Sequence, residues 1–203
     1  MLNDPSEKEI MLSLSQQFND EQMKSVMKSE FTSLPTMFQS KEMLEDFKSP
    51  LSYMMAIDFQ TYMLDDILQK VDRATMTNSL EGREPMLDHR ILEFTAQLPD
   101  EYKYQNGIKK RILREITHDY IPKELLDRPK MGFAIPIAKW LKNELRDHVE
   151  EYLNEDRIEK QGIFNWEFIT KLKMDFYKGR KEYDSKLWYF LMFQMWHERW
   201  MEN

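Results

Sequence analysis

Asp65-Asp66-Ile67-Leu68-Gln69-Lys70-Val71-Asp72-Arg73-Ala74-Thr75-Met76 is the stretch that decides the fold class. It contains neither Gly nor Pro, and its charges recur at helical intervals. Asp66, Lys70 and Arg73 are spaced i, i+4, i+7 and stack on one face. Asp58, Asp65 and Asp72 are spaced by sevens and share a neighbouring stripe. Just upstream, Met55, Phe59, Tyr62, Met63 and Ile67 supply an apolar face. Together these predict one long helix from about Leu51 to Met76. Its polar side reads most simply as a solvated face with i,i+4 pairs worth ~0.3–0.5 kcal/mol each. Carboxylate rows beside two cations also suit a charged substrate and Mg-bound phosphates, and spacing alone leaves both meanings open.

Outward from this helix, the pattern stays helical. Asp4, Pro5 and Glu7 have the spacing of a helix N-terminus with a capping box, followed by apolar residues to near Phe18. Asn19 or Asp20 caps a second helix through roughly Lys28. Leu34-Pro35 is a break, and Ser40 starts a short helix that Ser49-Pro50 ends. Downstream, Asp88 caps a helix carrying Ile91, Leu92, Phe94 and Leu98, which Pro99-Asp100 closes. Asn106-Gly107 is a turn, and a basic amphipathic helix runs from Ile108 to about Tyr120. The stretch with Pro122, Pro129, Gly132 and Pro136 is the most irregular. Helices resume near 136–153, 165–178 and 184–201. The last one, with Leu187 to Trp196 apolar almost all round, is expected to be the most buried. Phe133-Ala134-Ile135 is too short to count as a strand, so the expected class is mainly α.

Composition narrows the function. The chain has 203 residues, 41% of them hydrophobic, and a net charge of -7. At ~100–200 residues per domain this is one domain or a large piece of one. The negative charge argues against general binding to nucleic acid or anionic membranes, which need a positive field. With 0 Cys, there is no disulfide scaffold, thiolate metal site or Cys nucleophile. Absence of Cys fits a cytoplasmic protein, and the N-terminus has no signal-peptide pattern. The 5 Gly are too scattered for a phosphate-cradling loop. His89, His118, His148 and His197 do not sit at metal-ligand spacing, so no metal site is expected. No serine-hydrolase elbow or Walker loop occurs.

Two further stretches carry chemistry. In Leu80-Glu81-Gly82-Arg83-Glu84-Pro85-Met86-Leu87-Asp88-His89-Arg90, a buried Glu81–Arg83 or Asp88–Arg90 network would tie two helices together. In Arg128-Pro129-Lys130-Met131-Gly132-Phe133, Pro129 keeps Arg128 out of the helical region and Gly132 permits a sharp turn. Lys130 is then presented from an irregular loop, either as a surface lysine or as a point charge for a phosphate.

Taken in order, these stretches resemble the asparagine synthetase (glutamine-hydrolysing) family. Asp65–Met76 resembles its DDxLxKxDRxSM helix, and Leu80–Arg90 its LEARVPFLDHR stretch. Lys109-Lys110-Arg111-Ile112-Leu113-Arg114-Glu115 resembles its KxxLRE helix, followed by Ile121-Pro122. Arg128–Phe133 with Ile135-Pro136 resembles its RPKxGFxxP loop. The resemblance spans roughly Leu12 to Met201. Two positions depart from it: Gly82 stands after the Glu, and Glu84 replaces a Val-like residue before Pro85.

The resemblance implies a fold, a reaction and site residues. The chain would be the helical C-terminal portion of an α/β synthetase domain of the adenine nucleotide alpha hydrolase-like (ATP pyrophosphatase) type. The parallel sheet, its SGGxDS phosphate loop, the SGEGxDELFxGY motif and the glutaminase Cys are missing from it. Residues 1–203 would thus be one helical part of a synthetase domain without a glutaminase domain. The whole protein would adenylate aspartate with ATP and Mg, held mainly by residues outside this chain, and amidate it with glutamine-derived ammonia. Its partners would be the glutaminase and phosphate-loop portions of the same enzyme, with a homodimer also open. Lys130 would be the catalytic lysine on the pyrophosphate oxygens. Lys70, Asp72, Arg73, Glu81, Arg83 and Arg128 would line or brace that cleft. Rival expectations are another adenylating amide or lactam former, such as a β-lactam synthetase or lasso-peptide cyclase, and a non-catalytic helical partner.

Overall fold

A computed structural model describes residues 6–28, 35–40, 47–127 and 135–202. The caps expected at Asp4 and Pro5, the short helix after Ser40 and the Arg128–Phe133 loop lie outside them. The described chain forms two compact units. The first takes in residues 6–12 and the described residues from 35 to 127; the second takes in 13–28 and 135–202. Helices dominate both, as the sequence predicts. Among the described residues the only sheet is a two-stranded hairpin.

α1 (Glu7–Ser15), which begins in the first unit, opens on a capping box formed by Ser6 and Glu9. The Ser6 N–H and hydroxyl donate to Glu9 Oε2 at 2.7 and 2.9 Å. α1 stops at Ser15, short of Phe18. Its Met11 packs with Tyr53 and Ile57 of α3 (Pro50–Gln60) in a small core. Ser49 caps the start of α3: its hydroxyl accepts from Ser52 N–H, and Pro50 takes the first helical position.

The predicted single helix from Leu51 to Met76 is interrupted. α3 ends at Gln60, a π-helical turn covers Met63–Leu68, and α4 covers Gln69–Met76. Thr61 leaves helical geometry, with φ -123° and ψ -86°. Its hydroxyl donates to Ile57 O at 2.7 Å, competing for the carbonyl that also accepts the Thr61 N–H. A π turn accommodates an extra residue, which rotates the downstream side chains by about 100° relative to an unbroken helix. The sevenfold stripe expected for Asp58, Asp65 and Asp72 is therefore not kept across the turn.

After α4 the chain turns back. Leu80 N–H donates to Thr75 O at 3.1 Å, and residues 80–84 lead without regular structure to the short 3-10 turn Pro85–Leu87. Asp88 caps α5 (His89–Gln97) as expected, accepting from Arg90 N–H. α6 (Asp100–Lys103) leads into β1 (Tyr104–Gln105), which pairs antiparallel with β2 (Ile108–Lys109). Asn106 and Gly107 both have positive φ, 51° and 81°, so the connection is a primed hairpin turn. The amphipathic helix expected from Ile108 hence begins later, as α7 (Arg111–His118), after Lys110 in the left-handed region. α8 (Lys123–Leu126) is a single turn. This unit leaves many large apolar side chains open, among them Phe94 at 59%, Leu80 at 61% and Leu125 at 65% exposure.

The second unit holds the larger core. α2 (Asp20–Val26) starts at Asn19, whose side chain accepts from Gln22 N–H while Gln22 returns the bond. The helices α9 (Ile137–Lys142), α10 (Arg146–Tyr152), α11 (Glu155–Gln161), α12 (Trp166–Tyr177) and α13 (Asp184–Met201) follow. α11 has no counterpart among the helices expected from periodicity. It is closed by Gly162 in the left-handed region at φ +69°. Leu141, Val149, Leu153, Ile158, Ile169, Phe176, Leu187 and Leu191 form the core. Backbone bonds from Lys28 N–H to Ile163 O (3.0 Å) and from Asn165 N–H to Val26 O (2.7 Å) tie α2 into it.

α13 is less enclosed than its composition suggests. It buries Leu187, Phe190, Leu191 and Gln194, but Tyr189, Trp196 and Trp200 stay half-exposed or more. α12 buries as many side chains: Ile169, Leu172, Lys173 and Phe176. Apolar residues on every face of a helix do not bury it unless each face meets a neighbour. Among the described residues no helix is long and apolar enough to cross a membrane.

Candidate functional site

The polar strip of interest begins in the π turn. Asp65 and Asp66 lie there, and Lys70, Asp72 and Arg73 follow on α4, all exposed. Lys70 Nζ sits 3.4 Å from both Asp66 carboxylate oxygens. That contact is long and open to solvent, so it contributes a few tenths of a kcal/mol at most. Both side chains are therefore free to re-pair with a ligand at little cost. Asp72 and Arg73 have no ion pair among the described residues.

The 80–84 stretch lies against α4. A Cβ added at Gly82 would fall 3.8 Å from Thr75 Oγ1 and from Val71 Cγ1 of that helix. Glu81 and Arg83 flank this contact and pair with each other, Arg83 Nε to Glu81 Oε1 at 3.1 Å. Their side chains are 68% and 82% exposed. The pair is a local surface bridge, and the buried network expected to tie two helices together is not formed.

Asp88 and Arg90 form the second local pair, with two bonds from the Arg90 guanidinium at 2.9 and 2.7 Å. Those bonds, with the Arg90 N–H, hold the Asp88 carboxyl below the usual carboxylate range. Arg83, Glu84, Pro85, Leu87, Asp88, Arg90 and Ile91 line a shallow cleft. Gly82 makes room beside it, since a Cβ there would stand only 3.3 Å from Glu84 Oε1.

α7 carries an arrangement that sequence reasoning missed. Arg111, Arg114 and His118 are spaced i, i+3, i+7 and so share a face. Arg111 donates to Glu101 O, Gln105 Oε1 and Glu115 Oε1, fastening α7 to the hairpin. Arg114 Nη2 bonds Asp127 Oδ1, and His118 Nε2 lies 4.0 Å from the same oxygen. The KxxLRE pattern contained the signal, in the charge spacing of Arg111 and Arg114. Only the fold shows where Asp127 returns to meet it.

Of the residues singled out by sequence, the structure gathers Lys70, Asp72, Arg73, Glu81 and Arg83 into one unit, on α4 and the chain folded against it. Arg128 and Lys130 lie outside the described residues. Among the described residues no three His, Asp or Glu side chains converge on a metal-sized space.

Comparison with known proteins covers most of the chain. The asparagine synthase family model matches residues 6–198. An asparagine synthetase [glutamine-hydrolyzing] of Bacillus subtilis is 35% identical over 149 residues, covering 73% of this chain and 23% of that protein. A putative asparagine synthetase of Mycobacterium tuberculosis is 31% identical over 155 residues, 76% of this chain and 24% of that one. The human asparagine synthetase is 42% identical over 93 residues, 44% of this chain and 16% of that one. The chain thus spans about a quarter of the length of the bacterial relatives it matches. No solved structure gives a significant match.

Proposed function

The chain belongs to the asparagine synthase family, and from that premise we propose that it is the helical C-terminal part of an ATP-dependent, glutamine-hydrolysing asparagine synthetase. The carrying observation is the family match across residues 6–198, together with a relative of whose length the matched stretch covers only 23%. The rest of such an enzyme supplies the phosphate loop and the glutaminase.

In the complete enzyme, the β-carboxylate of aspartate attacks the α-phosphorus of ATP. The P–O bond to pyrophosphate breaks, and β-aspartyl-AMP forms. Ammonia released from glutamine then attacks the acyl carbon and expels AMP, leaving asparagine. Lys130 is assigned to the pyrophosphate oxygens, where negative charge grows as the bond breaks. Lys70, Arg73 and Arg83 offer exposed cations whose present partners are weak or absent among the described residues. Asp72 and Glu81 set the local charge balance around them, and Arg128 stands two positions before Lys130. Mg would accompany ATP, held mainly by residues outside this chain.

A protein with no phosphate loop is expected to be inactive alone. The test is aspartate-dependent AMP formation, assayed with this chain alone and with the complete enzyme. Activity in the complete enzyme and none in the isolated chain is expected. Aspartate-dependent AMP from the isolated chain, or none from the complete enzyme, refutes the proposal.

A further inference from the structure

α7 is attached to its own unit by its polar side. Arg111, Arg114 and His118, at i, i+3 and i+7, share that side. Arg111 donates to Glu101 O and Gln105 Oε1, Arg114 bonds Asp127, and only 14% of the His118 side chain is exposed. Leu113, Ile116 and Tyr120, also at i, i+3 and i+7, run along the opposite side. Tyr120 keeps to the helical path through its N–H, which donates to Thr117 O at 3.0 Å. Ile116 is 52% exposed and Tyr120 82%, and Leu113 is open as well. An amphipathic surface helix ordinarily spends its apolar stripe on the core beneath it. In α7 the orientation is reversed, with polar groups inward and the stripe outward.

The unit offers that stripe little core to enter. Among the described residues its buried apolar side chains are Met11, Tyr53 and Ile57. The second unit buries twelve, although it has fewer described residues. Apolar side chains grouped on one open face favour a cover that removes them from water. Area decides what kind of cover. Separate molecules in a stable complex each bury ~800 Å² from about 20–30 residues. Three side chains on neighbouring turns fall far short of that, which argues against a second copy of the chain. A segment of the same polypeptide needs no such area, because its tether keeps it at high effective concentration. In the Bacillus subtilis relative the matched stretch covers 23% of the protein, so such an enzyme has a long polypeptide to supply the segment.

We propose that the outward side of α7, formed by Leu113, Ile116 and Tyr120, is a docking surface for an apolar face of the synthetase portion outside these 203 residues. This rests on the reading of the chain as part of a longer enzyme. The chain has 0 Cys, so a thiol placed on this side reports its covering without background. Ile116→Cys and Tyr120→Cys are each made in this chain alone and in the complete enzyme. Alkylation by iodoacetamide is timed by mass spectrometry of the peptide that carries the new thiol, with urea-unfolded protein as reference. In the chain alone both thiols should react within ~3-fold of the reference at every protein concentration, and in the complete enzyme at least ~10-fold more slowly. Ile116→Asp should lower the melting temperature of the complete enzyme by several degrees and leave that of the chain alone unchanged, because only the complete enzyme would bury the carboxylate.

Equal rates in the chain and in the complete enzyme overturn the docking surface, as does an unchanged melting temperature of the complete enzyme. Slow alkylation in the chain alone overturns it too: the cover is then the chain's own second unit or, where the rate falls with concentration, a second copy. Protection in a complete protein that makes no AMP from aspartate upholds the surface and refutes the proposed function instead, so the two failures are told apart.

Discussion

A Cβ added at Gly82 would lie 3.3 Å from Glu84 Oε1, so the Glu84 carboxylate would have to give by a few tenths of an ångström. These are the two positions where the Leu80–Arg90 stretch departs from the family pattern, and the contact makes them one change rather than two. A missing methyl group on one residue accommodates an added carboxylate on the other.

The coupling is measurable. Gly82 does not have positive φ, so Ala fits its backbone, and Gly→Ala at such sites gains ~0.4–1 kcal/mol through the unfolded chain. In the natural background Gly82→Ala should gain less than this, because the Glu84 carboxylate must give by a few tenths of an ångström. In a Glu84→Val background the gain should appear in full. Urea denaturation of the single and double variants decides it; equal gains in both backgrounds would mean that Glu84 does not fill the space.

A second stability test lies in the larger core. Gln194 on α13 is fully buried and exchanges two amide hydrogen bonds with Gln161 of α11, at 2.8 and 3.2 Å. Gln194→Ala should cost ~2–4 kcal/mol, since it leaves a cavity and an unpaired amide. Replacing both residues with Leu should cost less than ~1 kcal/mol, because no polar group is then stranded. Thermal or urea melts of the two variants compare them directly.

Much of this was legible in the sequence, and the misses have physical causes. The caps at Asn19 and Asp88 were readable because a short polar side chain before an amphipathic run has one strong use. The hairpin around Asn106-Gly107 was also readable, yet the helical periodicity from Ile108 overrode it. The break at Thr61 was not, because a hydroxyl that turns back on Ile57 O leaves the apolar spacing of a continuous helix intact. α11 was hidden by its length, since Glu155–Gln161 offers Ile158 as its one buried anchor. Charge spacing and resemblance singled out Lys70, Asp72, Arg73, Glu81 and Arg83 as candidates. The Arg114–Asp127 contact could not be found that way, because its partners meet only once α8 folds back.

pH should act on the second unit from both ends. Tyr152 OH donates to Glu198 Oε2 at 2.6 Å, and Arg157 adds a bond to the same carboxylate. The Tyr152 bond first, then Arg157, lowers the Glu198 pKa. The same bond, helped by burial and by the carboxylate charge, raises the Tyr152 pKa. Stability from Glu198 is present above its unfolded value and is lost as pH falls through the lower folded value. Stability from Tyr152 is present below about pH 10 and is lost as pH rises through its higher folded value. Tyr152→Phe should lower the melting temperature at neutral pH and flatten both limbs of the melting temperature–pH curve. An unchanged curve would count against the bond.

Lys130→Ala separates the assigned role from a surface lysine. In the complete enzyme the variant should slow pyrophosphate release at saturating ATP by ~10²–10³-fold, the effect of losing one transition-state charge contact. Lys130→Arg should rescue it only in part, because a planar fork does not replace a point charge. A surface lysine would leave the rate unchanged and stability within ~0.5 kcal/mol.

The most direct test of the central claim is the fate of the carboxylate oxygen. Aspartate labelled with ¹⁸O in its β-carboxylate is turned over by the complete enzyme with ATP and glutamine, and the AMP is analysed by mass spectrometry. Attack of the carboxylate on the α-phosphorus followed by amidation must leave one labelled oxygen in AMP for each asparagine formed. AMP without label, or label found in inorganic phosphate beside ADP, would contradict adenylation of aspartate and with it the function assigned to this chain.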